Sequence, residues 1–90
     1  MAWAENGILR DRMLRAVEAA TVPVMFVQAE NDFDTSPSRI LSEAMRAAGK
    51  PTALRIFPPY GQTHQEGHGK FCVHGASVWG RDVIEFLRRP

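Results

Sequence analysis

The chain has almost no net charge. Eleven Lys and Arg against ten Asp and Glu leave its 90 residues at +1. A nucleic-acid binder needs a clustered excess of cations to neutralise phosphates, so this balance excludes that class. Cysteine is nearly absent. Cys72 stands alone, no internal disulfide can form, and the fold does not depend on an oxidising compartment. Long apolar runs are missing too. The longest, Val22 to Val27, contains Pro23 and falls far short of the ~20 residues that cross a bilayer. Met1 to Ile8 carries Glu5 and Asn6, where a secretion signal needs a basic start followed by an apolar stretch. The expectation is a cytoplasmic chain with neither membrane nor nucleic-acid partner. What is present is 44% hydrophobic residues, too many for a disordered tail and enough for one small domain with a modest core.

Apolar periodicity orders that domain. Ile8, Leu9, Met13, Ala16, Val17 and Ala20 recur at helical steps, predicting a helix over Gly7–Ala19 that Pro23 brings to an end. Val24 to Val27 is a continuous run of β-forming residues, as in a strand buried on both faces of a parallel sheet. Ser36-Pro37 reads as a helix start, with the serine as cap. Ile40, Leu41, Ala44, Met45 and Ala48 then form a stripe that Gly49 stops. Ala53 to Phe57 predicts a second strand. A Gly- and His-rich loop follows from Tyr60 to about Gly75, and Val78, Trp79, Val83, Phe86 and Leu87 mark a last helix, with Trp79 and Phe86 as packing residues. The order is helix, strand, helix, strand, helix: an α/β chain built on one βαβ unit. Two strands leave both sheet edges and much apolar surface uncovered, which predicts either a larger sheet or a partner.

Two polar segments fall after the predicted strands, at the rim where open parallel sheets place their functional groups. Glu30-Asn31-Asp32-Phe33-Asp34 follows the first, and Gly61 through Gly69, with His64 and His68, follows the second. A carboxylate that orients an imidazole makes up two thirds of a nucleophilic triad. Acid before base, each after its own strand, is the order found downstream of a nucleophile elbow.

At Val22-Pro23-Val24-Met25-Phe26-Val27-Gln28-Ala29-Glu30-Asn31-Asp32, and again from Ile56-Phe57-Pro58-Pro59 to Glu66-Gly67-His68-Gly69-Lys70-Phe71, the chain resembles the α/β-hydrolase superfamily. The likeness runs from about Met13 to Leu87. It is nearest to the dienelactone hydrolase-like branch and extends to the catalytic domain of prolyl oligopeptidases. The resemblance implies that residues 1–90 are a partial hydrolase domain: its last two core strands with their flanking helices. It implies Asp32 as the triad acid, with Asp34 as runner-up, and His68 as the base, with His64 as runner-up. Gly67 and Gly69 would let the backbone turn sharply around the base. The implied reaction is hydrolysis of an ester, lactone or related acyl bond, or of a peptide, on a small-molecule substrate and without metal or organic cofactor.

The family's Gly-x-Ser-x-Gly elbow, or its cysteine form, belongs upstream of Asp32, and no Ser or Cys occurs there. Ser36, Ser38 and Ser42 fall on the crossover helix, Ser77 opens the last helix, and Cys72 follows the base. The 90 residues alone are therefore expected to be inactive, contributing acid and histidine to a larger hydrolase or to a complementing N-terminal part. The alternative is a small non-catalytic protein that self-associates or docks on a partner through its open sheet edge. A third constellation, His64-x3-His68-x3-Cys72-x-His74 with Glu66, has zinc-like ligands. Gly67 and Gly69 argue against the regular helix that would align them. Cys72 reads as a small half-buried residue, His74 as a helix-start or surface histidine, and Trp3 as packing on a neighbour or lining a pocket.

Overall fold

The computed structural model describes residues 6–89; Trp3 lies outside them. It has α1 (Gly7–Ala19), β1 (Val24–Ala29), α2 (Ser36–Ala47), β2 (Thr52–Phe57), a π-helical turn (Glu66–Lys70), α3 (Phe71–His74) and α4 (Ala76–Leu87). The strands pair in parallel, Val24 opposite Thr52 through Ala29 opposite Phe57. The mixed α/β character and the strand–helix–strand unit are as the sequence predicts. No helix among the described residues is long and apolar enough to cross a membrane.

Residues alternate faces along β1, and the helices divide accordingly. Val24 and Phe26 pack on the cluster of Val17 from α1 with Leu41 and Met45 from α2. On the opposite face Phe57 meets Phe71, ring centroids 5.9 Å apart, and Val27 lies across a cavity from Trp79 and Val83 of α4. Helices thus cover both faces of a two-stranded ribbon, and the cover is thin. Val24 to Gln28 are only half-buried and Ala29 alone in β1 is buried, correcting the expectation of a strand enclosed on both faces. No residue of α4 is buried, and Val78, Ile84 and Leu87 are exposed.

Helix ends account for further differences. Asn6 caps α1 by accepting from the Leu9 amide at 2.9 Å. At its other end the Lys50 ammonium donates to the carbonyls of Val17, at 2.8 Å, and of Glu18, placing a cation on the negative end of the helix dipole. The face that α1 buries is Leu14, Val17 and Ala20; Ile8, Met13 and Ala16 point outward, because periodicity allows several neighbouring stripes and only the partner helix selects one. In α2 the cap position is Thr35, one residue before the expected Ser36, and the Asp34 carboxylate accepts from the Ser36 amide at 2.8 Å. The inward face of α2 is Ser38, Leu41, Ser42 and Met45, leaving Ile40 and Ala48 exposed.

The segment expected to be a loop from Tyr60 to Gly75 is largely helical from His64 onward. Its start is a reciprocal cap. The Thr63 hydroxyl accepts from the Glu66 amide at 3.1 Å, while the Glu66 carboxylate accepts from the Gln62 amide at 3.0 Å and the Thr63 hydroxyl at 3.2 Å. The Gln62 amide first, then the Thr63 hydroxyl, hold the Glu66 carboxyl below the usual carboxylate range, aided by the Lys70 charge. A depressed pKa in the folded state makes this cap a neutral-pH contribution that is lost as acid protonates Glu66.

The burial pattern gives a direct test. Met45 is fully buried and Ile40 is 43% exposed, two helical residues of similar size on different faces of α2. Met45→Ala is expected to lower unfolding free energy by about 2–5 kcal/mol, a large share of a small domain's total. Ile40→Ala should change it by about 0.5 kcal/mol or less. Urea unfolding of the two variants against the parent chain measures both.

Candidate active site

The residues after β1 and after β2 meet above the carboxyl ends of the strands. Asn31 joins them. Its side-chain amide donates to the carbonyls of Tyr60 and Thr63, each at 2.9 Å, and its Oδ1 accepts from the Tyr60 amide at 2.8 Å. The Asn31 carbonyl in turn accepts from His64 Nδ1 at 3.0 Å. One asparagine therefore continues the strand pairing for another step beyond Phe57, with side-chain atoms in place of backbone.

Asp32, the next residue, presents its carboxylate to the helical segment. Oδ1 lies 2.9 Å from Nδ1 of His68 and accepts from the Phe33 amide at 2.6 Å, while Oδ2 accepts from Gln28 Nε2 at 2.9 Å. Gln28 is held in its turn: Nε2 also donates to the Asp34 carbonyl at 2.9 Å, and Oε1 accepts from the Ser38 amide at 3.3 Å. Three donors from separate positions fix the carboxylate plane. An ionised carboxylate only accepts, so Nδ1 of His68 carries the proton and Nε2 is left as the basic nitrogen. Nε2 has no hydrogen-bond partner among the described residues. The acid is shielded, its side chain 12% exposed, while the His68 side chain is 67% exposed and opens to solvent.

His68 reaches this position through the π turn. The Phe71 amide bonds back to the Glu66 carbonyl, five residues away, and this wider turn carries Gly67 and His68 against the acid turn. Gly67 is buried, and a Cβ there would stand 2.4 Å from Asn31 Oδ1 and 2.7 Å from its carbonyl carbon. The glycine serves close approach, with no positive φ. Gly69 has no atom within 4 Å of such a Cβ and carries no constraint, so the expected sharp turn at both glycines is replaced by a helical turn in which one of them is needed. Phe33 leans over the two imidazoles, 5.5 Å from His64 and 5.7 Å from His68 between ring centroids.

The structure brings Asp32 and His68 into contact and gives the runners-up other partners. Asp34 caps α2, and His64 bonds to the Asn31 carbonyl. Cys72 is exposed, contrary to the half-buried reading, and makes no hydrogen bond to His68. Among the described residues no group of three or more His, Cys, Asp and Glu is placed to hold a metal ion, although the glycines do not prevent a helix as expected. Trp79, expected to pack, does so at its edge, its indole donating to the Phe71 carbonyl at 2.9 Å. Its ring also borders a cavity of about 310 Å³ that Asp32 and His68 line as well.

Sequence reasoning missed Asn31 and Gln28 as positioning residues, and it gave Gly67 a sharp turn where the structure gives it close approach to Asn31. An asparagine in a turn directly after a strand is a signal for side-chain mimicry of backbone bonding, and Thr63-x-x-Glu66 is a legible capping pattern. The role of Gly67 depends on a neighbour 36 positions away and has no local signal.

The two glycines separate cleanly in experiment. Gly67→Ala is expected to cost about 1–3 kcal/mol, because the acid turn and the π turn must move apart. Gly69→Ala, open and helical, should be neutral or stabilising by up to about 1 kcal/mol. Thermal unfolding of the paired variants decides; equal effects would contradict the close packing of Gly67 on Asn31.

No family model, curated protein or solved structure matches the chain, so the case for this site rests on its geometry.

Proposed function

We propose that this chain supplies the acid and the base of an α/β-hydrolase-type catalytic triad, as the C-terminal part of a dienelactone hydrolase-like enzyme acting on ester, lactone or related acyl bonds. The observation that carries the reading is the 2.9 Å contact between Asp32 Oδ1 and His68 Nδ1 above the carboxyl ends of two parallel strands. Asp32 holds the imidazole in the tautomer with a free Nε2. That nitrogen takes the proton of a serine or cysteine nucleophile as it attacks the acyl carbon, and the carboxylate stabilises the imidazolium that forms. His68 then protonates the leaving group and afterwards activates water against the acyl-enzyme.

The nucleophile comes from outside the 90 residues in this reading, on a strand beside the uncovered edge of β1. Both nucleophile and oxyanion donors are needed for substantial rate, so the 90 residues alone are inert. The decisive experiment begins with the coding sequence ahead of Met1. An in-frame strand followed by Gly-x-Ser-x-Gly or Gly-x-Cys-x-Gly is expected. In the protein made from that longer frame, His68→Ala and Asp32→Asn should each lower kcat for an activated ester by at least about ten-thousandfold. A stop codon just ahead of Met1, or variants with full activity, would overturn the proposal.

A second reading is favoured by the thin cover of the ribbon. Val73 of α3 and Val78, Ile84 and Leu87 of α4 are all exposed, and the two strands have no further neighbour among the described residues. A non-catalytic chain that self-associates would bury this surface. Sedimentation of the 90-residue chain separates the readings: association that strengthens with concentration supports the second, and a monomer at all concentrations removes it.

A further inference from the structure

The cavity beside the dyad is mostly apolar, with a few polar residues in its lining. Val27 of β1, Phe71 and Cys72 of α3, and Trp79 and Val83 of α4 form its walls, and Gln28, Asp32 and His68 bring the polar atoms. Most of these polar atoms are already committed. Gln28 bonds to Asp32, Asp34 and Ser38, and Asp32 receives three donors, leaving His68 Nε2 as the open acceptor. No Lys or Arg lines the space. A charged ligand entering it would lose hydration without gaining a counter-charge.

Size and wall chemistry narrow the ligand further. An apolar protein cavity of about 150 Å³ holds benzene, and this one, at about 310 Å³, has room for a substituted single ring. Trp79 is tethered through its indole N–H to the Phe71 carbonyl, so it presents a fixed aromatic wall. A ring seated there that carries one donor can bond to His68 Nε2, the acceptor left open at the cavity's edge.

We propose that this cavity binds a neutral single-ring aromatic alcohol, its ring between Val27 of β1 and the Trp79 and Val83 pair of α4, and its hydroxyl donating to Nε2 of His68. The binding itself requires no catalysis. Its role in turnover rests on the hydrolase reading: the ring is then the alcohol half of an aryl-alkyl ester. As the acyl–oxygen bond breaks, the acyl group stays on the nucleophile. The proton His68 took from that nucleophile passes to the departing alkoxide, leaving the neutral alcohol in the cavity.

Cys72, the single cysteine, is exposed and lines the cavity, so its alkylation reports occupancy. The test is the rate of its reaction with iodoacetamide at pH 8 in the presence of benzyl alcohol, benzoate or benzylamine, three probes sharing one ring. Benzyl alcohol is expected to slow alkylation saturably, and the two charged probes should need concentrations at least about tenfold higher for the same protection. No protection by benzyl alcohol, or equal protection by all three, overturns the proposal. Val83→Trp, which fills the cavity, should abolish protection while leaving the circular dichroism unchanged; the three-probe comparison stands without that variant. Protection without hydrolysis of a benzyl ester by the longer protein would count against the catalytic reading alone. Hydrolysis of other esters without protection would count against the cavity alone.

Discussion

The arrangement depends on Asn31. Parallel strands end at Ala29 and Phe57, and beyond them two loops of unrelated sequence have to be brought together above the sheet. Asn31 does this with three hydrogen bonds from one side chain and a fourth from its carbonyl, to Tyr60, Thr63 and His64. Side-chain amides suit the task because they donate and accept at once, as a peptide group does. Asp32 is the next residue, and Gly67, which precedes His68, packs directly on Asn31, so the polar tie and this packing contact together set the distance between acid and base. Gln28 then fixes the orientation of the carboxylate from below.

This polar frame matters more here than it would in a thicker protein. The molecule is a slab 16 Å thin, with an apolar core centred on Val17, Leu41 and Met45. That core lies between α1, α2 and β1, on the face away from the cavity. On the cavity face α4 rests lightly on β1 and its own apolar residues stay largely open. Stability therefore comes mainly from one side of the ribbon, while the candidate chemistry and the uncovered surface lie at its rim and on the other. A site held by hydrogen bonds at a sheet rim keeps its geometry even where the helix behind it is weakly packed.

Much of the architecture was legible in the sequence because its boundaries are chemical. Pro23, Gly49 and the Pro58-Pro59 pair interrupt the chain where elements end, and the α1 and strand limits follow within two residues. The pairing of Asp32 with His68 was legible because acid and base each follow a strand in the order, and at the positions, that the hydrolase resemblance implies. Faces were less legible. Ile8 and Met13 fit a helical stripe as well as Leu14 does, and only the position of α2 decides between them. The histidine segment misled because Gly67 and Gly69 suggest a loop, whereas the Thr63–Glu66 cap and the tie to Asn31 supply enough local bonding for a helix. Loop-like composition lost to tertiary contact.

The proposed chemistry depends most directly on the tautomer of His68. Nitrogen-15 NMR of the neutral imidazole distinguishes a proton on Nδ1 from one on Nε2. The structure predicts a ring protonated on Nδ1 and hydrogen-bonded to Asp32, with Nε2 bare, and loss of that preference in Asp32→Asn. A ring protonated on Nε2, or a spectrum indifferent to the substitution, would contradict the pairing on which the proposed chemistry depends.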